Sequence, residues 1–448
     1  MPLTILTDGD VNTLLHSLVR DDILDLQQSL ADALHFYSTS GEDNSCCSSY
    51  QPMRTALKRR DGATTLFMPA SAHTGVGIKV VTLSTPKDPG SSSLEKVSLS
   101  DTKSESSRAS ISSPGTSSTT TFVTPGSVSS ADTTTPRGSL TLLDEAGTPT
   151  ALINAEELTA FRTALATNAL FKKRQSVHDL VVFGAGKQAY WHVRIAMLLR
   201  GDEIHHLNII NRSFDRCREL LMRLWDPMPG DETYQNPLGH KYYSKTKSSI
   251  LTPHSPEYER LLKEQVRAAN VIFCTTPSTE PLFPASYLTN PGGRNKGRYI
   301  GLVGSYRPHM IEIHPDIIKQ AVAPHHEHRH YHKHQKEGGA VVVDSVEACL
   351  QEAGEVVQAK LKPDQVVELG ELIMLRRDAE KRLKGREDSG DEESKGVQVQ
   401  ESQGLKEWLT KGNVIYKSVG LGLMDVVVGA ELVRLARERG IGTTIENF

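Results

Sequence analysis

Leu180-Val181-Val182-Phe183-Gly184-Ala185-Gly186-Lys187-Gln188-Ala189 is the stretch that decides how this chain is read. Four apolar residues run without alternation into a G-x-G-x-x-A turn, and a helical segment follows through Leu199. A strand buried on both faces, a tight glycine turn and a helix are the context that a dinucleotide fingerprint requires. The first glycine permits the turn, the second lets a pyrophosphate approach the backbone, and Ala189 lets helix and strand pack closely. The helix N-terminus then presents its partial positive charge to the phosphates.

Working outward, the rhythm repeats. Leu207-Asn208-Ile209-Ile210 is followed by a helix from about Phe214 to Leu224. Further apolar runs stand at Val271–Cys274, Tyr299–Val303 and Ala340–Asp344. Strands without alternation, separated by helices, indicate a parallel sheet covered on both faces. The second strand ends at Asn211-Arg212-Ser213, where an NAD site usually carries an acidic residue for the ribose hydroxyl. Asn211 does not repel a 2′-phosphate and Arg212 can pair with one. NADPH is therefore favoured as cofactor, with NADH the alternative.

On either side the pattern changes. Near the N-terminus Asp10 is placed to cap a helix whose apolar residues include Val11, Leu14, Leu18, Ile23, Leu26, Leu30 and Leu34. Short strands follow at Thr65–Met68 and Ile78–Leu83, resuming at Gly138–Asp144 and, after a hairpin turn, at Thr150–Ile153. A helix runs from about Glu156 to Lys172, and Val414-Ile415-Tyr416 leads into a last helix from about Met424 to Glu438. The fold class is α/β: a Rossmann-type parallel domain (175–346) inserted into a discontinuous α+β domain (1–174 and 347–448). Three polar segments interrupt it: a Ser/Thr-rich stretch at 84–137, a His-rich loop at 323–337 and a charged insert at 377–412.

The balance of 51 basic against 54 acidic residues gives a net charge of −3, which does not point to nucleic acid. Five cysteines without C-x-x-C spacing argue against a disulfide framework or structural zinc. The first residues lack a basic and an apolar region, and no window approaches the length of a membrane span. The chain is read as soluble and cytoplasmic, without membrane partners. No metal is expected: the His-rich loop, with His325 and His334 among its residues, has no fixed ligand geometry.

Three cations stand out in the discontinuous domain. Arg54 follows Gln51-Pro52-Met53, Lys79 lies between Ile78 and Val80, and Arg162 sits in an Ala- and Leu-rich helix. Strand alternation puts Lys79 on the face opposite its two apolar neighbours. Singly, each reads most simply as a surface charge. Together, beside a cofactor domain, they make a candidate grip for a carboxylate.

These residues fall in stretches that resemble the ornithine cyclodeaminase/mu-crystallin family of NAD(P)-dependent proteins. The matching segments include Met68-Pro69-Ala70 with Gly77–Val81, Leu143–Leu152 running into Leu158–Ala164, and the G-A-G-K-Q-A turn. They continue through Thr275–Pro281, Gly304-Ser305-Tyr306-Arg307-Pro308, Val343-Asp344-Ser345, Glu368–Glu371 and Tyr416–Asp425. Apart from the three inserts, the resemblance covers nearly the whole chain.

The resemblance implies a homodimer whose discontinuous domain pairs the subunits and binds a small imino or amino acid. It implies that Arg54, Lys79 and Arg162 hold the substrate carboxylate, with Lys79 also the candidate catalytic group at the imine nitrogen. It implies cofactor contacts from Gly184, Ala185, Gly186, Lys187, Gln188, Ala189, Asn211, Arg212, Ser213, Thr275, Thr276, Ser305 and Ser418. Cyclodeaminases of the family carry an Asp after the glycine matching Gly304, whereas this chain has Ser305. Serine is too weak an acid to serve as a base near neutral pH, and the Gly-Ser-Tyr-Arg-Pro form resembles the ketimine-reductase branch. The activity implied is NADPH-dependent reduction of cyclic ketimine carboxylates such as Δ1-pyrroline-2-carboxylate or Δ1-piperideine-2-carboxylate. The alternatives are an ornithine cyclodeaminase or amino-acid dehydrogenase, and a non-enzymatic NADPH-linked small-molecule-binding protein.

Overall fold

The computed structural model describes residues 2–39, 51–83 except 61 and 74, 137–230, 234–323, 339–375 except 374, and 404–448. Most of the Ser/Thr-rich stretch, nearly all of the His-rich loop and residues 377–403 of the charged insert lie outside the described residues.

The chain opens with strand β1 (Leu3–Leu6), then helices α1 (Asp8–Ser17) and α2 (Arg20–Thr39). The capping residue of α1 is Thr7, not Asp10: Thr7 Oγ1 accepts from the Asp10 amide while the Asp10 carboxylate accepts from the Thr7 amide. The single apolar periodicity read from Val11 to Leu34 is broken at Leu18, which is extended, so two helices share one apolar face.

Strands β2 (Thr55–Lys58), β3 (Thr64–Ala72), β4 (Gly75–Leu83), β5 (Arg137–Leu143) and β6 (Pro149–Asn154) form an antiparallel meander, with β1 parallel beside β6. In β4 the inward residues are Gly75, Gly77, Lys79 and Val81, so Lys79 lies opposite Ile78 and Val80 as alternation requires. The inner face packs on α3 (Ala155–Phe171), capped by the Asn154 side chain, and on the last helix, Gly422–Arg439. Approach there is close: a side chain on Gly77 would meet Val426 at 2.7 Å.

The second sheet comprises β7 (Asp179–Phe183), β8 (His206–Ile210), β9 (Lys247–Leu251), β10 (Val271–Cys274), β11 (Tyr299–Leu302), β12 (Val341–Val343), β13 (Val366–Glu368) and β14 (Val414–Lys417). Its order is β13-β12-β14-β11-β10-β7-β8-β9, and every pairing is parallel. Helices α4 (Lys187–Arg200) and α5 (Phe214–Trp225) provide the crossovers that follow β7 and β8. The mixed α/β architecture matches the sequence reading. The boundary at residue 346 does not hold for the sheet, because β13 and β14 also belong to it. Val414–Lys417 is wholly buried and pairs in register with both β11 and β12; four residues next to a long helix carry too little local pattern to reveal such a partner.

The charged insert is also shorter than its composition suggests. Residues 404–411 are helical, and Leu405, Trp408 and Leu409 pack against the core at helical spacing. Arg174 donates to the carbonyls of Leu409 and Gly412 at 2.7 and 2.6 Å, holding that helix's C-terminal end. Strand β15 (Thr443–Ile445) closes the first sheet against β1. Among the described residues no helix is long and apolar enough to cross a membrane, and Cys217, Cys274 and Cys349 are free and buried.

Candidate active site

The glycine turn is built as its pattern requires. Gly184 has φ +108°, and a side chain there would meet Thr275 Oγ1 at 2.6 Å. That hydroxyl donates to the Phe183 carbonyl at 2.7 Å, so the ends of β7 and β10 are fastened together beneath the turn. Gly186 is the N-cap of α4; no side chain caps the helix, and a Cβ at Gly186 would face nothing within 4 Å. Uncapped amides before open space form an anion cradle. Ala189 is fully buried, so the start of α4 packs closely. These features fit a dinucleotide phosphate. Lys187 is turned away from that cradle: its ammonium pairs with Glu156 and Glu157 of α3 at 2.9 and 2.8 Å.

At the end of β8, the Asn211 amide donates to the Ser213 carbonyl, and Ser213 Oγ caps α5 by accepting from the Arg216 amide. Both side chains are spent on the turn. Arg212, between them, is exposed and has no ion pair among the described residues, which leaves its guanidinium available to a ligand.

The three cations converge from different elements, each with a carboxylate from another. Lys79 Nζ of β4 and Arg162 Nε of α3 both reach Asp425 Oδ1 of the last helix, at 2.9 and 3.1 Å. All three side chains are buried. Burial pulls the Lys79 ammonium down to about 8, although Asp425 opposes the shift. Arg54 pairs with Glu352, its Nε lying 3.1 Å from Oε1. Arg54, Glu352 and the backbone of Gly420 line one pocket. Gly420 has φ +96°, and a side chain on it would come within 2.8 Å of Arg162 Nη2. Arg162 thus backs the wall of the pocket that Arg54 enters.

A buried acid holds that wall. Asp344, at the end of β12, accepts from Ser418 Oγ at 2.8 Å and from the Gly420 amide at 2.7 Å. The loop 418–420 therefore hangs from the parallel sheet while pressing on Arg162 of the other unit. Ser418, read as a cofactor contact, is here a buried donor to Asp344.

Ser305 is placed differently from its expected role. It is fully buried, donates to Glu355, and accepts from the Lys417 ammonium at 2.6 Å. Lys417 also lies 3.4 Å from Glu355, both without exposed side-chain surface. Glu312 completes the network, taking the amides of Thr276 and Gly304 at 2.7 and 2.8 Å. Burial pushes its carboxyl up to about 7 against the pull of Lys417, with Glu355 adding to the rise. These acids fix the loops after β10 and β11, so Thr276 is positioned through its backbone. Asp344 and Asp425 stood within the quoted segments without a role, while Glu312, Glu355 and Lys417 carried no local signal that distinguished them from solvated charges.

No family model matches the chain. Among known proteins, an uncharacterized Saccharomyces cerevisiae protein, YGL159W, is 26% identical over 318 residues, covering 65% of this chain and 72% of that one. A Δ1-pyrroline-2-carboxylate reductase of Bacillus cereus is 27% identical over 309 residues, covering 67% of this chain and 71% of its own. The ketimine reductase mu-crystallin of Rattus norvegicus is 27% identical over 230 residues, 51% of this chain and 55% of its own. Among solved structures, an archaeal alanine dehydrogenase dimer with bound NAD superimposes with TM-score 0.61 at 17% identity, covering all of both chains. The Thermococcus litoralis Δ1-pyrroline-2-carboxylate reductase, in complex with NADH and L-proline, gives 0.61 at 16% identity over 99% and 100% of the two chains. These likenesses support the resemblance to the ornithine cyclodeaminase/mu-crystallin family read from the sequence. The superpositions cover essentially the whole of each chain, so the fold is shared across both sheets.

Proposed function

We propose that this protein is an NADPH-dependent reductase of cyclic ketimine carboxylates, converting Δ1-pyrroline-2-carboxylate or Δ1-piperideine-2-carboxylate to the corresponding cyclic amino acid. The observation that carries the reading is the convergence of Lys79 and Arg162 on Asp425 behind the pocket entered by Arg54. A carboxylate held there is bound by charge-assisted hydrogen bonds. The names of the reductase relatives support the same chemistry.

A bound reduced nicotinamide supplies the hydride. The amides of the α4 N-terminus would hold its pyrophosphate, and Arg212 would pair with a 2′-phosphate, the basis of a preference for NADPH over NADH. Arg54, Arg162 and Lys79 would hold the substrate carboxylate and so orient its C=N carbon toward the hydride donor. The protein supplies orientation and electrostatics rather than the bond-making group. Ser305, tied to Glu355 and Lys417, offers no free carboxylate, in keeping with reduction rather than cyclodeamination.

A homodimer is part of this reading. Ile445, Leu152 and Val76 are 40, 39 and 44% exposed, and strand register puts them on one face of the first sheet, away from the last helix. A second copy covering that face would bury them. The enzyme is placed in the cytoplasm on the character of its sequence.

The test is consumption of NADPH by purified protein with each imine, against an NADH control. Turnover that prefers NADPH is the expected result. Absence of turnover with both imines, in protein that still binds NADPH, contradicts it.

A further inference from the structure

Asp425 has an unused oxygen. Its Oδ1 receives both Lys79 and Arg162, while Oδ2 is buried and has no hydrogen-bond partner among the described residues. The carboxylate stands in the first turn of the 18-residue helix Gly422–Arg439, beside the two cations. A buried carboxylate oxygen without a donor is costly unless a ligand brings one.

The surrounding charges say what such a ligand looks like. Arg54, Lys79 and Arg162 are three cations set among the carboxylates of Asp425 and Glu352, with Asp344 also acting on Arg54, so acceptors and donors stand side by side. In a cyclic 2-imino acid the nitrogen is bonded to the carbon that bears this carboxylate. A molecule anchored by its carboxylate on these cations therefore brings its N–H among the groups that surround Asp425.

Resting on the reductase reading above, we propose that Asp425 Oδ2 accepts the N–H of the protonated imine, so that the site selects the iminium form of its substrate. Hydride adds to the C=N carbon, the π pair moves onto nitrogen, and the proton already there stays. The product is a neutral secondary amine, which leaves after taking a proton from water. Lys79 then serves as an anion-holding ammonium throughout and is not spent as the acid. The same geometry favours a zwitterionic product, such as proline, over a plain carboxylic acid of equal size.

The test compares binding of L-proline and cyclopentanecarboxylate to the full-length protein with oxidised NADP, by calorimetry. Wild type is expected to bind proline about tenfold more tightly or better, the worth of one charge-assisted hydrogen bond. Asp425→Asn keeps an acceptor for Lys79 and Arg162 but turns a donor toward the substrate nitrogen. It is expected to lose the preference, binding proline no more tightly than cyclopentanecarboxylate. Equal binding of the two ligands by wild type overturns the proposal while leaving the reductase reading intact. Equal weakening of both in the variant also overturns it, because Asp425 then only orders the cations. Failure of wild type to bind either ligand defeats the reductase reading, and this proposal with it.

Discussion

In the proposed reaction the glycine turn and the cation cluster are prepared in opposite ways. At the turn, Gly186 and the uncapped start of α4 present bare amides to open space. In the cluster every cation already has a carboxylate of the chain beside it. The difference follows from burial. Backbone dipoles carry no net charge and can await a ligand at small cost. Buried ammonium and guanidinium groups cannot be left alone without large desolvation penalties. A phosphate therefore completes a cradle, whereas a substrate carboxylate joins an existing charge network.

The sharpest way to break this comparison is Asp425→Ala. It strands Lys79 and Arg162 together in the interior, and loss of one partner of a buried pair costs about 3–5 kcal/mol. A matching loss of stability in denaturant unfolding is expected. Gly186→Val should do the reverse, leaving stability near wild type while filling the approach to the α4 amides. Losing the phosphate's charge-assisted bonds, about 1.5–3 kcal/mol, weakens NADPH binding by about 10–100-fold, measurable by fluorescence. If the two variants exchange these phenotypes, the contrast is wrong.

Arg54→Ala comes next. Arg54 is partly exposed, so its loss should lower kcat/KM for the imine by about 10–100-fold while the Kd for NADPH is unchanged. Retained turnover would remove Arg54 from the substrate site. Arg212→Ala is smaller. An exposed pair is screened, so the NADPH-over-NADH preference should drop by about tenfold or less, with little change for NADH.

Titration gives the mildest effect. Lys79 loses its proton near 8, well below an ordinary lysine. On the proposed reading its ammonium holds the substrate carboxylate below that pH and not above, so KM for the imine should climb as pH rises past about 8. In Lys79→Arg, which stays charged, that rise should move to higher pH. An identical profile in both proteins assigns the titration to another group.

The same contrast governs what the sequence could reveal. The turn is ten consecutive residues, each required by local geometry, and it was legible with its helix and strand. Alternation also placed Lys79 on the inner face of β4. Asp425 could not be assigned to Lys79 and Arg162 from spacing, because the pair partners lie 346 and 263 residues away. Glu312, Glu355 and Lys417 escaped for the same reason: a charge that is buried only after two loops meet looks like any surface charge beforehand. Strand β14 shows the effect at the level of fold, since its place between β11 and β12 depends on pairing and not on its own four residues.

The central claim is direct hydride delivery to the imine carbon in this site. It is tested most directly with NADPH deuterated at the transferable C4 position and Δ1-pyrroline-2-carboxylate, followed by mass spectrometry of the product. The account predicts proline carrying one deuterium on its α-carbon, formed by wild type and strongly reduced in Arg54→Ala. Proline without the label, or label delivered equally well by Arg54→Ala, contradicts it.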